Sequence, residues 1–276
     1  MSRLCVIRTD ETAVVQALAG LVKSMAKDVI LDLNEEVGVT SFIHSDNLVN
    51  FLLFRIERDA FTVYRLREGA PTRIKLQMDE AEAAVTSIGS ESVLEFSIHR
   101  EAPDLLVLTE RTEAESEFDP CVCRLSLQSI QEEPSSIRAI EPLCRYTIPA
   151  EVIGKLYTRL HKNRGELNTN SVVTFTCQET GVLIGIINRT NTRSAAYQTG
   201  YRDPQCTHAP DDQGQDPQVH LALSQVDLLR RAAKVADQVI LEIGAAPSPM
   251  VAHFNISDVG TGALYLLPVR LNELLE

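Results

Sequence analysis

The chain has 276 residues with 38 acidic and 26 basic side chains, which gives a formal net charge of −12. This length allows two domains of ordinary size, each with its own core, and the acidic balance argues against a nucleic-acid protein with an overall basic surface. No apolar run approaches the roughly 20 residues of a membrane-spanning helix, and the first residues do not resemble a signal peptide. We therefore expect an intracellular protein without a membrane partner.

Aromatic residues make up only 5% of the chain and Trp is absent, so the core is expected to consist of Val, Leu, Ile and Ala. The six cysteines lie mostly within strand-like apolar runs. In an intracellular protein we expect them to be reduced and buried rather than paired in disulfides.

The first half of the chain predicts many short strands and two helices. Apolar runs place strands at 4–8, 28–34, 37–43, 48–56, 61–67, 73–77, 93–98, 104–109 and 121–127. Apolar residues at helical spacing place helices at about 10–27 and 79–88.

The second half predicts the same arrangement. Strands are expected at 143–148, 172–176, 182–187, 193–201, 219–223, 239–243, 250–256 and 263–268, and helices at about 149–161 and 224–237, with Ser224 as the cap of the last helix. The intervening segment 202–217 is polar and rich in Pro and Asp, which is typical of a surface loop.

The four predicted helices begin near positions 10, 79, 149 and 224. A period of about 70 residues indicates an internal repeat, in which a short strand, a helix and several further strands follow one another. One helix per group of antiparallel strands predicts an α+β fold with the helices on one face of the sheets.

A change in composition divides the chain near its middle. Residues 128–142 are rich in Ser, Glu and Pro, and Pro134 and Pro142 neither continue a helix nor donate a ladder hydrogen bond. We therefore expect an N-terminal domain at 1–127, a connecting loop at 128–142 and a C-terminal domain at 143–276.

Basic residues recur on three of the four predicted helices of this acidic chain. They are Lys23 and Lys27 on the first helix, Lys155, Arg159, Lys162 and Arg164 in and just after the third, and Arg230, Arg231 and Lys234 on the fourth. The second helix instead carries Glu80 and Glu82. On a single helix such residues usually form a solvated face, but their recurrence on repeated units favours a shared surface for a polyanion.

With these elements placed, the chain resembles the DNA sliding clamps of the proliferating cell nuclear antigen family. The segment 221–268 is the most specific match, because LALSQVDLLRRAAKVADQVILEI is similar to the family's last helix and following strand, and FNISDVGTGALYLLPV to its final hairpin. The segment that begins with Phe61-Thr-Val-Tyr-Arg and the middle connector are further matches. Together the matches span essentially the whole chain.

The resemblance implies two topologically similar clamp domains, with helices on the inner face and antiparallel sheets outside. Three subunits would form a homotrimeric ring, in the nucleus or at a viral replication site, that encircles duplex DNA without reading its sequence. Such a ring tethers a DNA polymerase and other replication or repair proteins, and a clamp loader places it on DNA.

Matched positions imply DNA contacts from the helices. The first candidates are Lys23, Lys155, Arg159 and Arg231, and further candidates are Lys27, Lys162, Arg230 and Lys234. On the second helix, Ala83 and Thr86 stand where the family usually has lysines, which weakens the expected contact with DNA there.

The resemblance also implies a pocket that binds short peptide motifs of partner proteins. Its matched positions are Val49, Ile137 or Ile140 in the connector, Pro249, Tyr265, Leu267 and Pro268. Subunit contacts would join edge strands, with residues 119–125 of one protomer beside residues 194–201 of the next.

The sequence contains no signature of catalysis. It has no Gly-rich phosphate loop, no GxSxG and no HExxH, so we expect no enzyme activity, catalytic residue, cofactor or metal. Three alternatives stay open. They are a subunit of a heterotrimeric checkpoint-type clamp, a viral polymerase processivity factor that acts as a monomer or dimer, and a metal-dependent enzyme that uses Cys121, Cys123 and His208.

Overall fold

The chain forms two compact units in a computed structural model that describes residues 2–45, 49–111, 120–130, 140–162, 172–187, 198–203, 205–210 and 214–269. The first unit comprises Met1–Asn47, Leu52–Ser135 and Ile256–Gly262. The second unit comprises Leu48–Phe51, Ser136–Asn255 and Ala263–Glu276.

The first unit contains two helices and two antiparallel sheets. Its elements are β1 (Arg3–Thr9), α1 (Thr12–Lys23), β2 (Asp28–Asn34), β3 (Gly38–His44), most of β4 (Asn50–Glu57), a 3₁₀ turn (Arg58–Ala60), β5 (Val63–Leu66), β6 (Arg73–Gln77), α2 (Met78–Thr86), β7 (Val93–His99), β8 (Ala102–Arg111) and β9 (Val122–Ser126). One sheet has the order β5-β1-β7-β8-β9, and the other has the order β6-β2-β3-β4.

The second unit repeats this plan. Its elements are β10 (Pro142–Pro149), α3 (Ala150–Lys162), β11 (Val172–Gln178), β12 (Gly181–Ile187), β13 (Gln198–Arg202), β14 (Thr207–His208), β15 (Gln218–Ala222), α4 (Leu223–Ala232), a 3₁₀ turn (Ala233–Val235), β16 (Gln238–Gly244), β17 (Met250–Ile256) and β18 (Gly260–Leu266). The sheet orders are β13-β12-β11-β15 and β14-β10-β16-β17-β18.

Each helix follows a strand within two residues and buries one apolar stripe. In the first unit α1 buries Leu18, Leu21 and Val22, and α2 buries Ala84 and Val85. The period of 3.6 residues leaves the polar side chains on the opposite side of each helix. The α+β fold expected from the sequence is therefore confirmed, with one helix per group of mostly antiparallel strands.

A polar side chain also joins the two helices of the first unit. The Gln16 amide of α1 donates hydrogen bonds to the carbonyl oxygens of Val85 and Ile88, at 3.1 and 2.8 Å. The last carbonyls of a helix have no partner within the helix. Gln16 thus supplies two further donors at the end of α2.

Segment 202–217, predicted as a loop, contains the two-residue strand β14. His208 of β14 pairs with Cys144 of β10. Before it, the buried Asp203 carboxylate accepts hydrogen bonds from the backbone N–H groups of Thr147 and Gln205, at 2.7 and 2.9 Å. Two residues are too few to show alternation, so composition alone indicated a loop.

The N-terminus of α4 also differs from the prediction. Ala222 occupies the cap position, and Ser224 lies inside the helix. Gln225 does the capping, because its side-chain oxygen accepts a hydrogen bond from the Ala222 backbone N–H at 2.8 Å. The helix also ends at Ala232 and continues as a 3₁₀ turn.

A buried carboxylate holds three arginines on the five-stranded sheet of the first unit. The Glu95 side chain is fully buried and pairs with Arg3, Arg8 and Arg111 at 2.9, 2.6 and 2.7 Å. Burial alone would raise the pKa of Glu95. Hydrogen bonds from Arg111 and Arg8 and the charges of Arg111 and Arg3 outweigh burial and lower this pKa below its ordinary value of 4.5.

We predict that Glu95→Gln lowers the free energy of unfolding by about 2 kcal/mol at neutral pH, because three cations lose their shared counter-charge. A lowered folded-state pKa stabilises the fold above the ordinary Glu pKa, and this contribution is lost as the pH falls through the folded-state value. The difference between wild type and variant should therefore shrink below pH 4.5. Urea unfolding at several pH values measures it.

The matched control is Glu57→Gln. Glu57 pairs with Arg55 at 2.6 Å, but both side chains are 45% exposed. An exposed pair contributes less than about 1 kcal/mol. Equal losses in the two variants would contradict the role assigned to Glu95.

Candidate functional site

A cationic groove runs between α3 and α4 in the second unit. Its volume is about 620 Å³, and small residues (Ala150, Gly154 and Ala233) form part of its lining. Four cationic side chains also line it: Lys155, Arg159, Arg230 and Lys234. The buried stripes of the two helices face the core, so these cations are left on the solvent side.

The carboxylates of Asp227 and Glu151 neutralise part of this charge. Asp227 accepts hydrogen bonds from Arg230 and Arg231, both at 2.8 Å. Burial alone would raise the pKa of Asp227, but the two guanidinium groups lower it below the ordinary value. Arg230 also lies over the Tyr157 ring, 4.8 Å from its centre. These contacts hold Arg230 in a fixed place.

The remaining cations of the groove are more exposed. Lys155 pairs with Glu151 at 2.9 Å on the surface, where both side chains are well solvated. Within the described parts of the chain, Arg159 and Lys234 have no ion-pair partner, and both residues are exposed. They are therefore the side chains best placed to meet an external anion.

The first unit differs from the second in the charge of its helices. Lys23 of α1 pairs with Glu82 and Asp79 of α2, at 3.0 and 3.3 Å. The hydrogen bonds that Lys23 donates to Glu82 and Asp79 raise the pKa of Lys23. Lys27 lies just after α1 and is exposed. The Lys162 side chain lies outside the described residues.

The described positions matched to the peptide pocket lie in the second unit, and we refer to them together as the apolar patch. Val49 is 37% exposed. Ile140, Pro249, Tyr265, Leu267 and Pro268 are each half-buried. Burial raises the pKa of the Tyr265 phenol, with a smaller contribution from the charge of Glu242. Ile137, the other connector position, lies outside the described residues.

Gln225 holds the backbone segments that carry this patch. Its buried amide nitrogen donates hydrogen bonds to the Asn50 side-chain oxygen and the Leu267 carbonyl oxygen, both at 2.9 Å. In addition, the Leu267 backbone N–H donates to the Val49 carbonyl oxygen at 3.0 Å. Gln225 was not among the sequence candidates. Its only signal is a glutamine three residues beyond the cap position, which is typical of a capping residue.

The residues considered for a metal have other partners in the structure. Cys121 and Cys123 have their sulfur atoms 3.9 Å apart, and each lies 3.6 Å from the Ser87 hydroxyl. His208 pairs instead with Asp216 at 3.1 Å. Within the described residues, no group of three or more His, Cys, Asp or Glu side chains is placed to hold a metal ion. Across the same residues, no helix is long and apolar enough to cross a membrane.

Two repeated α+β units, each with a helix pair and antiparallel sheets, define the fold of a DNA sliding clamp. The chain is similar to the crystal structure of the proliferating cellular nuclear antigen from Entamoeba histolytica, with a TM-score of 0.79 and 16% sequence identity. The match covers 97% of this chain and 100% of that chain. At this identity the likeness shows the fold alone. No protein-family model and no curated protein matches the sequence.

We predict that Gln225→Ala lowers the free energy of unfolding by about 1–3 kcal/mol, because it leaves buried polar partners without their hydrogen bonds. Gln225→Glu keeps the acceptor for Ala222 but removes both donors, so we expect a loss at least as large. Thermal and urea unfolding of the two variants measure these losses.

Ser224→Ala is the matched control in the same turn. If Ser224 capped the helix, its loss would cost about 1 kcal/mol. Because Ser224 is exposed inside the helix, we expect a change within about 0.5 kcal/mol. A larger effect at Ser224 than at Gln225 would contradict the assignment.

Proposed function

We propose that this chain is a subunit of a ring-shaped DNA sliding clamp that encircles duplex DNA and tethers a DNA polymerase and other replication or repair proteins to it. The observation that carries the proposal is the likeness to a proliferating cellular nuclear antigen over 97% of the chain. In this proposal residues 1–127 and 143–276 are the two clamp domains, and residues 128–142 are the connector.

The proposed DNA contacts come mainly from the second unit. Its helix pair presents Arg159 and Lys234 without ion-pair partners among the described residues, next to Lys155 and Arg230. In the first unit, Lys23 is held by two carboxylates of α2. A clamp that surrounds DNA needs only weak, sequence-independent phosphate contacts, so a net charge of −12 is compatible with this role.

The half-buried patch around Val49, Tyr265 and Leu267 is the proposed site for peptide motifs of the polymerase and other partners. A peptide that inserts apolar side chains would cover this patch and remove its apolar surface from water. The proposed place of action is the nucleus or a viral replication site, where a clamp loader would open the ring.

Ring closure is proposed to join β9 of one protomer to β13 of the next, because each forms the edge of its sheet. We expect a homotrimer, which light scattering after size-exclusion chromatography measures as three times the chain mass of 30.5 kDa. A monomer that requires two different partner chains would favour the checkpoint-type clamp instead. A monomer or dimer that binds DNA tightly and with strong salt dependence would favour a viral processivity factor.

We predict that Arg124→Pro weakens trimer assembly while each unit stays folded. The bonds from Glu110 N–H to the Cys121 carbonyl and from Leu127 N–H to the Asp104 carbonyl fix the alternation along β9. The Arg124 N–H therefore points away from β8, towards the free edge of the sheet. Proline removes that donor without breaking a bond to β8. Arg124→Ala, which keeps the N–H, should still give the mass of a trimer.

We also predict that Arg159→Glu lowers the processivity of a polymerase bound to the clamp and reduces the retention of the clamp on DNA. The matched control is Arg145→Glu on β10, a side chain that is 54% exposed outside the groove. Both variants change the net charge equally, so only a contact at the groove distinguishes them. The slope of the logarithm of DNA affinity against the logarithm of salt concentration should fall by about one in Arg159→Glu and stay unchanged in Arg145→Glu. If the two variants gave equal processivity, the proposed contact between α3 and DNA would be contradicted.

A further inference from the structure

Besides the cationic groove of the second unit, the protein has another cationic surface. It lies in the first unit, on the five-stranded sheet. Four arginines line one groove on this sheet: Arg3 and Arg8 of β1, Arg65 of β5, and Arg67, which directly follows β5. Its volume is about 370 Å³, and its other lining residues are Leu4, Val6 and Val63. Among the described residues, neither a lysine nor a carboxylate lines this groove.

The buried Glu95 organises one side of the surface. Three guanidinium groups have fifteen N–H donors, and the structure shows four hydrogen bonds from Arg3, Arg8 and Arg111 to Glu95. These arginine side chains remain 36–43% exposed. One carboxylate thus fixes three cations in place, and the cluster keeps an excess of two positive charges.

On the other side of the groove, the positive charge of the arginines is less neutralised by carboxylates. Arg65 and Arg67 are exposed, and neither has an ion-pair partner within the part of the chain that is described. Arg65 lies in the edge strand β5, and Arg67 directly follows the strand's last residue. Alternate residues of an extended chain lie roughly 6.7 Å apart on one face. An extended peptide with an acidic residue at every second position would repeat this spacing.

We propose that this arginine-lined face is a docking surface for an extended acidic peptide segment of a partner protein. Charge complementarity selects the acidic positions, and planar guanidinium groups bind carboxylates through paired hydrogen bonds. The apolar floor of Leu4, Val6 and Val63 provides contacts for apolar residues between the acidic ones. Among the described residues that line the groove there is no Phe, Tyr or Trp on which bases of single-stranded nucleic acid could stack.

The test is fluorescence anisotropy with the full chain and a labelled peptide in which Glu alternates with Leu and Ser. A second peptide has Gln in place of Glu. At about 0.1 M salt we expect the Glu peptide to bind and the Gln peptide not to bind. The affinity of the Glu peptide should fall as the salt concentration rises. No DNA, loader or polymerase is present, so this measurement is independent of the clamp proposal.

The double variant Arg65→Glu with Arg67→Glu should weaken binding by at least about tenfold, because attraction becomes repulsion at two adjacent sites. Arg55→Glu with Arg58→Glu is the matched control, since both side chains are about half exposed in the same unit. It should leave the affinity within about twofold. Circular dichroism melting curves establish that both variants are folded.

Three results would overturn the proposal. If the Gln peptide bound as tightly as the Glu peptide, the surface would not select acidic residues. An equal loss in the two double variants would show non-specific attraction. A single-stranded oligonucleotide of equal charge that binds more tightly through Arg65 and Arg67 would assign the face to nucleic acid.

Discussion

Burial of one apolar stripe on every helix is the constraint on which the rest of the structure depends. In α3 the buried stripe includes Ile153, Leu156 and Leu160. A helix has 3.6 residues per turn, so each residue is rotated by about 100° from the one before it, and the residues between the stripe positions point away from the core. Lys155 and Arg159 are therefore exposed as a consequence of core packing. Core packing of α3 is therefore sufficient to keep these two side chains on the solvent side of the cationic groove.

The same constraint places very different charges on the two helix pairs. The described solvent face of α1 and α2 combines Lys23 with Asp79 and Glu82 in one ion-pair cluster. On α4, Asp227 is shared by two arginines, and the more exposed Lys234 follows in the adjoining 3₁₀ turn. Repetition of the fold thus does not entail repetition of the charge. In the proposed ring the phosphate contacts would come chiefly from one unit of each subunit.

Elements with strong periodicity could be predicted from the sequence. Strands β2 and β6 lie at the predicted positions 28–34 and 73–77, because their apolar residues recur in a clear strand pattern. The helix pattern of α3 was equally clear. Boundaries were weaker at α4, where a backbone-capping glutamine replaced the expected serine. Short β14 has too few residues to show any pattern.

Side-chain pairing was less predictable than the fold. The sequence identified the cations of the helices, but it could not show which of them are neutralised, because Lys23 meets Asp79 and Glu82 only after distant residues pack together. Gln225 and Glu95 were missed for the same reason. Their partners Asn50 and Arg3 lie far away in the chain. Such contacts depend on tertiary structure and leave no local pattern.

Helix α4 contributes to both proposed surfaces of the second unit. Its last turn carries Arg230, which lines the cationic groove, and its first turn carries Gln225, which fixes Leu267 in the apolar patch. Since the helix is rigid, a shift of α4 would displace groove and patch together. Substitutions on α4 should therefore mix the two functions, whereas Arg159 on α3 has no contact with the Gln225 network among the described residues. A substitution on α3, such as one at Arg159, is therefore the way to change the cationic groove without changing the apolar patch.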